Sequence, residues 1–344
     1  MKYVHQPQET RIHGGADHHG AVPHDFSTNS NACAPCPAAL QAVRQADASQ
    51  YPDASYTALR RQLAGFHGVD VARVVLAGSA SEFIFRITAL AAQTVQAAGA
   101  VWLPPHSYGD YAQAAHAHRL AVASHPARAQ LRWACEPSSP LGTAQAGLAQ
   151  SVDDRAGNAM HVLDCAYEPL RLSGAPSLTP AQLQTVWQLW TPNKALGLTG
   201  VRSAYAVAPV GAEAAVFQLD QLSPSWPVGA HGVALLQAWT EPAAQAWLAA
   251  SLDTLRDWKA RQIALCESLG WTCLPSDANF FCARPKLPEA LTLPQALEQL
   301  RGHGIKLRDT TSFGLPGQVR LGVLAPLAQD ALHNAWQQLI KANQ

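Results

Sequence analysis

Thr191-Pro192-Asn193-Lys194-Ala195-Leu196-Gly197-Leu198-Thr199-Gly200-Val201-Arg202 follows a short apolar run, Val186 to Trp190, that reads as a strand. Lys194 is a lone cation among small and apolar residues there, surroundings that suit Schiff-base chemistry of its amine; an exposed loop lysine is the plainer alternative. Arg202 stands further on, past Gly197 and Gly200, which let the backbone come close. Upstream, Asp164 ends another apolar run and precedes Cys165-Ala166-Tyr167. A carboxylate at a strand end can cap a turn, or it can face a cationic ring nitrogen and keep a heteroaromatic cofactor protonated. Further upstream, Gly78-Ser79-Ala80-Ser81 opens a helix whose apolar face is Phe83, Ile84, Ile87, Leu90 and Ala91. Such a start either caps its own helix or points free backbone N–H groups and a hydroxyl at an anion. The order of anion loop, strand-end Asp, strand-end Lys and Arg favours a shared site, because sites in open parallel sheets form at the carboxyl ends of strands.

The pattern around these segments alternates. Tyr56, Leu59, Leu63 and Phe66 recur at helical spacing, after Asp53 and Ser55 as candidate caps and before Gly68. Strands are expected at Val74–Ala77, Ala100–Leu103, Leu120–Ser124, Leu131–Cys135, His161–Asp164, Val186–Thr191 and Ala204–Ala208, which predicts an α/β chain with a mostly parallel sheet covered on both faces. A long helix is expected from Glu241 to Leu269, with Trp247, Leu248, Leu252, Leu255 and Trp258. Strands at Trp271–Leu274, Asn279–Ala283, Ile305–Arg308 and Val319–Val323 and a final helix Leu327–Ala342 complete a smaller α+β domain. The expected division is an N-terminal segment 1–48 packing on the small domain and across the site, a large domain 49–240 and a small domain 241–344. Trp187, Trp190, Trp247 and Trp258 read as packing.

The composition narrows the class. Of 344 residues 48% are apolar and 14% charged, with 24 basic and 24 acidic side chains, so the chain lacks the electrostatic footprint of a nucleic-acid binder and the polarity of a disordered one. The longest apolar stretch, Phe83 to Leu103, is interrupted by Arg86, Gln93 and Gln96 and does not suit a membrane span. Met1 to Gly20 is polar, without the apolar core of a secretory signal, so the cytoplasm is the expected compartment. The seven cysteines are expected to be reduced thiols. Cys33-Ala34-Pro35-Cys36 has redox or half-zinc spacing but no second pair to complete a site, and His13, His18, His19 and His24 read as an irregular solvated segment, so no metal is expected.

The same residues resemble the fold type I pyridoxal-phosphate enzymes, in the branch of histidinol-phosphate aminotransferases and threonine-phosphate decarboxylases. The likeness runs through Asp25 to Asn29, Tyr51-Pro52-Asp53, Pro105 to Tyr111, Asp164 to Tyr167, Lys194 to Arg202, Asp277 to Phe280, and Arg308 through Phe313-Gly314-Leu315-Pro316 to Arg320. It implies a three-layer αβα, aspartate aminotransferase-like fold and pyridoxal 5'-phosphate as cofactor. Lys194 would form the Schiff base and Asp164 would partner the pyridine nitrogen. Tyr108 would stack on the ring and Tyr167 would bond the ring oxygen. Ala80, Ser81, Thr191 and Arg202 would hold the phosphate, with Tyr51 reaching in from the second subunit of a homodimer. Arg320 would grip the substrate carboxylate, with Asn29 and Arg308 facing the substrate side chain.

One stretch departs from the family. Where its members usually have Asn-Pro-Asn-Asn-Pro-Thr-Gly, this chain has Glu136-Pro137-Ser138-Ser139-Pro140-Leu141-Gly142, so Ser139 stands where an Asn would bond the ring oxygen; Asn193 also replaces the usual Ser before the lysine. Arg11-Ile12-His13-Gly14-Gly15 resembles the decarboxylase, in which the N-terminal segment covers the site; His13 and Gly14 would then help bind a substrate phosphate. The expected activity is transamination of a small or phosphorylated amino acid, with threonine-phosphate decarboxylation as the alternative and a non-catalytic cofactor-binding paralogue, suggested by Ser139, as a third.

Overall fold

The computed structural model describes residues 13–94, 99–154 and 159–343; Arg11 and Ile12 lie outside them. In chain order the strands are β1 (His24–Asp25), β2 (Val74–Ala77), β3 (Ala100–Trp102), β4 (Ala121–Val122), β5 (Leu131–Cys135), β6 (Met160–Asp164) and β7 (Trp187–Trp190). They continue with β8 (Ala204–Val207), β9 (Thr272–Cys273), β10 (Phe280–Arg284), β11 (Ile305–Lys306), β12 (Arg308–Asp309) and β13 (Val319–Gly322).

The large sheet has the order β2-β8-β7-β6-β5-β3-β4. β4, β3, β5, β6 and β7 run parallel, while β8 is antiparallel to both neighbours, as the mostly parallel expectation allows. Its inner strands are mostly apolar because helices cover both faces, the exceptions being Arg132, His161, Asp164 and Gln188. On one face Phe83, Ile84 and Ile87 of helix Ala80–Gln93 pack with Val75, Trp133 and Trp187; on the other, Leu59 and Leu63 of helix Thr57–His67 pack with Leu76, Tyr205 and Trp239. Trp187 is buried, and Trp190, Trp247 and Trp258 pack partly buried against the core.

Local chemistry sets the element ends. Asp53 accepts from the Thr57 and Ser55 amides (2.7 and 3.0 Å) and so caps the helix as anticipated, but Tyr56, in a left-handed conformation (φ 49°), is the residue at the boundary. The helix stops at Gly68 (φ 63°), where a side chain would be strained.

A second sheet, β12-β13-β10-β9, is antiparallel and shares an apolar core of Phe281, Leu321, Leu332 and Trp336 with helices Leu293–Gly302 and Pro326–Ala342. Helix Pro242–Ser268 runs from the first core to the second, contributing Leu248 to one and Cys266 to the other. The single strand expected at Ile305–Arg308 is two, because the chain changes partner at Leu307. β11 pairs in parallel with β1 of the N-terminal segment, and β12 pairs with β13. Asp17 adds ion pairs to Arg301 and Lys306 (2.7 and 2.6 Å), fixing the N-terminal segment to this second sheet. All seven cysteines are free, and no helix among the described residues is long and apolar enough to cross a membrane.

One polar chain lies within the first core. The Trp239 indole N–H donates to the Tyr205 hydroxyl (3.0 Å), whose own proton is therefore free to go to His67 Nε2 (2.8 Å). A hydroxyl donating in this way suits a neutral imidazole, and burial holds His67 down at about 4. The unfolded chain binds the proton at a higher pH than the folded one, so stability is full above about 6.5 and falls as the pH drops toward 4. Urea titrations across that window are expected to show this slope and to lose part of it in His67→Gln. Tyr205→Phe, which leaves both neighbours unpaired, is expected to cost about 1–3 kcal/mol at neutral pH.

Candidate active site

Asp164 lies at the carboxyl end of β6, in register with Cys135 of β5 and Leu189 of β7, at the centre of the parallel strands. It is 5% exposed. A carboxylate so buried survives only with directed donors, and two are present: the Tyr111 hydroxyl at 2.6 Å and the Ala166 amide at 2.9 Å. Burial raises its pKa above the ordinary carboxylate range, opposed by Tyr111, by the positive charge of Lys194 and by the Ala166 amide. A further cation at this spot would stabilise the charged form.

Lys194 sits in the one-turn helix Pro192–Ala195 after β7, half-buried, with its Nζ 5.4 Å from the centre of the Tyr167 ring. The turn is held from the N-terminal segment. The Asn31 amide donates to the Lys194 carbonyl (2.9 Å), Asn31 Nδ2 to that of Ala195 (3.1 Å) and the Cys36 amide to that of Leu196 (2.9 Å). Gly197 (φ 68°) must be glycine, since a Cβ there would lie 2.9 Å from the Ala34 carbonyl oxygen. Cys33 and Cys36 thus belong to a structural brace on the lysine turn. Asn193 ties the same loop internally, Nδ2 donating to the Thr199 and Val201 carbonyls (3.3 and 3.4 Å).

Around this pair the structure gathers most of the residues singled out in the sequence. The Thr191 hydroxyl is buried with no hydrogen-bond partner, as a group awaiting an acceptor would be. The Ala80 and Ser81 amides head helix Ala80–Gln93, without intrahelical acceptors, and the Ser81 hydroxyl lies 3.3 Å from that of Tyr108. The anion loop is shorter than expected, however. Glu82 takes the Gly78 amide (3.2 Å) and the Ser79 hydroxyl caps the Glu82 amide (3.1 Å), so the offered groups begin at Ala80. Tyr167 is buried, its hydroxyl 3.4 Å from Asn29 Nδ2 and its ring edge-on to Phe280 at 4.8 Å; Asn29 Oδ1 has no partner.

Beyond Phe280 lie two guanidiniums. Arg320, 6% exposed, stands 5.6 Å from the Phe280 ring and 5.5 Å from that of Phe313, and Arg308, 4% exposed, is 4.8 Å from the Phe313 ring. Burial and the neighbouring charge of Arg320 push Arg308 down to about 10, and burial lowers Arg320 as well. Arg320 donates to the Ser139 hydroxyl (3.1 Å), which leaves that hydroxyl's own proton free for an acceptor. Across the opening, Gly14 lies against the Ser27 carbonyl, which a Cβ would approach to 2.1 Å, and the His13 ring centre is 5.9 Å from that of Tyr108.

Arg202 is exposed and has no hydrogen bond or ion pair among the described residues. Tyr51, expected to act in the second subunit, is 77% exposed and stacks on Trp226, ring centres 4.4 Å apart. Sequence reasoning assigned no role to Tyr111, the strongest partner of Asp164. Its signal was present: one helical turn beyond Tyr108 it faces the same side, and its ring stacks on Trp133 at 4.3 Å.

The donor set fits pyridoxal phosphate: a buried carboxylate, an unpartnered hydroxyl, helix-start amides, and a lysine beside the Tyr167 ring. Tyr111→Phe removes a hydrogen bond to a charged group and is expected to cut turnover about tenfold or more while leaving the thermal melting point within a few degrees; equal turnover would show that Asp164 does not depend on it.

Comparisons with known proteins agree. The family model for aminotransferase class I and II matches residues 23–339. A histidinol-phosphate aminotransferase of Jannaschia sp. is 27% identical over 347 residues, covering 94% of this chain and 91% of that protein. The crystal structure of histidinol-phosphate aminotransferase from Sinorhizobium meliloti in complex with pyridoxal-5'-phosphate superposes with a TM-score of 0.78 at 22% identity, covering 94% of this chain and 93% of that one. L-threonine-O-3-phosphate decarboxylase from Porphyromonas gingivalis gives 0.74 at 19% identity, over 92% and 99%. The chain therefore belongs to the class I and II aminotransferases, enzymes that depend on pyridoxal phosphate.

Proposed function

We propose that the protein transfers the amino group of a small or phosphorylated amino acid, with Lys194 as the residue that joins the cofactor and moves the proton. The observation that carries this reading is the continuous wall from Asp164 and Lys194 through Tyr167 and Phe280 to the buried Arg320 and Arg308. Bound there, pyridoxal phosphate supplies an electron sink that loosens the bonds at the substrate Cα. The chain does the rest. Asp164 would hold positive charge at the ring nitrogen, the Ala80 and Ser81 amides with Thr191 would hold the phosphate, Tyr108 would stack on the ring and Tyr167 would bond the ring oxygen. Arg320 fixes the substrate carboxylate. The Lys194 amine would accept and return the Cα proton of a substrate held in this way. Two buried cations side by side favour a substrate that brings more than one negative charge, which supports a phosphate-bearing or dicarboxylic amino acid. The exposed Tyr51 suits a homodimer in which it completes the phosphate site of the second subunit.

A second reading, decarboxylation of threonine phosphate, is favoured by one observation: His13 and Gly14 lie across the opening next to Tyr108 and Ser27. The two are separated by product. Glutamate from histidinol phosphate and 2-oxoglutarate supports transamination; aminopropanol phosphate from threonine phosphate supports decarboxylation. Borohydride reduction of the loaded protein followed by peptide mass spectrometry is expected to place the cofactor on Lys194, with colour and adduct both lost in Lys194→Ala. An adduct on another lysine refutes the assignment.

A further inference from the structure

The segment after β12 forms a closed loop over the two guanidiniums. The buried Thr310 hydroxyl is bonded to the Leu315 and Gln318 carbonyls (2.7 and 2.9 Å), and the Phe313, Gly314 and Leu315 amides turn back onto Thr310 and Thr311. Arg308 Nη2 donates to Ser312 (2.8 Å), and the Phe313 ring lies against both Arg308 and Arg320. From the opposite wall, in the connection between β3 and helix Gly109–Ala117, His106 Nδ1 meets the Phe313 carbonyl at 2.7 Å. A carbonyl only accepts, so Nδ1 carries the proton. The tie spans 207 residues of sequence and joins the Tyr108 side of the crevice to the arginine side.

We propose that His106 is a positioning residue for the anion subsite: by holding the Phe313 carbonyl it keeps the Phe313 ring as a cover on Arg308 and Arg320, and the cover strengthens their grip on a doubly charged substrate. The proposal rests on the reading of those arginines as the substrate's anion site. Its physical basis is twofold. An aromatic face shields the guanidiniums from water, where charge–charge attraction is weak, and a held loop loses less freedom when a ligand arrives.

The test uses the cofactor-loaded enzyme and 2-oxoglutarate as a dianionic probe. His106→Ala is expected to speed hydrogen exchange at the Phe313, Gly314 and Leu315 amides and to weaken 2-oxoglutarate binding about tenfold, the order expected for losing one such bond. His106→Asn, which keeps a donor at the same position along the side chain, restores both. Phe313→Leu, which keeps the carbonyl but not the aromatic face, is expected to weaken binding while leaving exchange near wild type. Equal behaviour of the Ala and Asn variants, or exchange unaltered in both, overturns the proposal. If the wild type fails to bind 2-oxoglutarate while exchange still responds to His106, the anion-site reading falls and the cover loses its purpose, although the tie itself stands.

Discussion

A carboxylate removed from water at the centre of a parallel sheet is the constraint from which the site follows. Asp164 has no room for solvent and must be satisfied by fixed donors, and the fold supplies them from separate places: Tyr111 from the helix beyond β3, Ala166 from its own turn and the charge of Lys194 from the end of β7. Unmet, such a group would cost several kcal/mol. The charge of Lys194 is one compensating cation; under the proposed reading the ring nitrogen of the cofactor would be a second, and burial, unfavourable by itself, would then favour positive charge on that nitrogen.

The lysine is positioned by strapping, since a one-turn helix has little stability of its own. Ser30, Asn31 and Cys36 reach the carbonyls of its turn, while Asn31 Nδ2 also donates to Ser251 on the long helix (2.7 Å). A similar strap joins the two sheets. The buried Lys259 ammonium donates to the Ser276 and Ala278 carbonyls, and the Asp277 backbone bonds Gly142 and Leu172, so the loop before β10 is fixed to the turn that carries Ser139. Ser139, Arg320 and the N-terminal segment are therefore tied together, with Arg320 also donating to the Ser27 carbonyl (3.2 Å).

Much of this was legible in the residues. The runs at Leu131–Cys135, apolar apart from Arg132, and Val74–Ala77 become strands over their expected lengths because burial on both faces favours apolar sequence. Asp164 and Lys194 could be located because a strand-end charge amid apolar neighbours has few uses. The sequence did not reveal what depends on pairs distant in the chain. The Ser79-x-x-Glu82 spacing that shortens the anion loop is a local signal, whereas nothing local says that Arg320 would claim Ser139 or that Ile305 to Arg308 would divide between two partners. Tyr111 was hidden for the same reason: its role is set by a hydrogen bond to a residue 53 positions away. Arg202 and Tyr51 read as cofactor ligands in the sequence yet face outward in the single chain.

The pairing of β1 with β11 also has a temporal side. Asp17 and Arg301 are 284 positions apart, and Asn279 holds the Ser30 carbonyl across 249. During synthesis the first segment leaves the ribosome long before its docking strand exists, while the layers around the large sheet can already collapse. The entropy of closing so long a loop is recovered only at the end. The docking of β1 on β11 is thus among the last parts to form, and a C-terminally truncated chain would hold its central layers without Arg308 and Arg320.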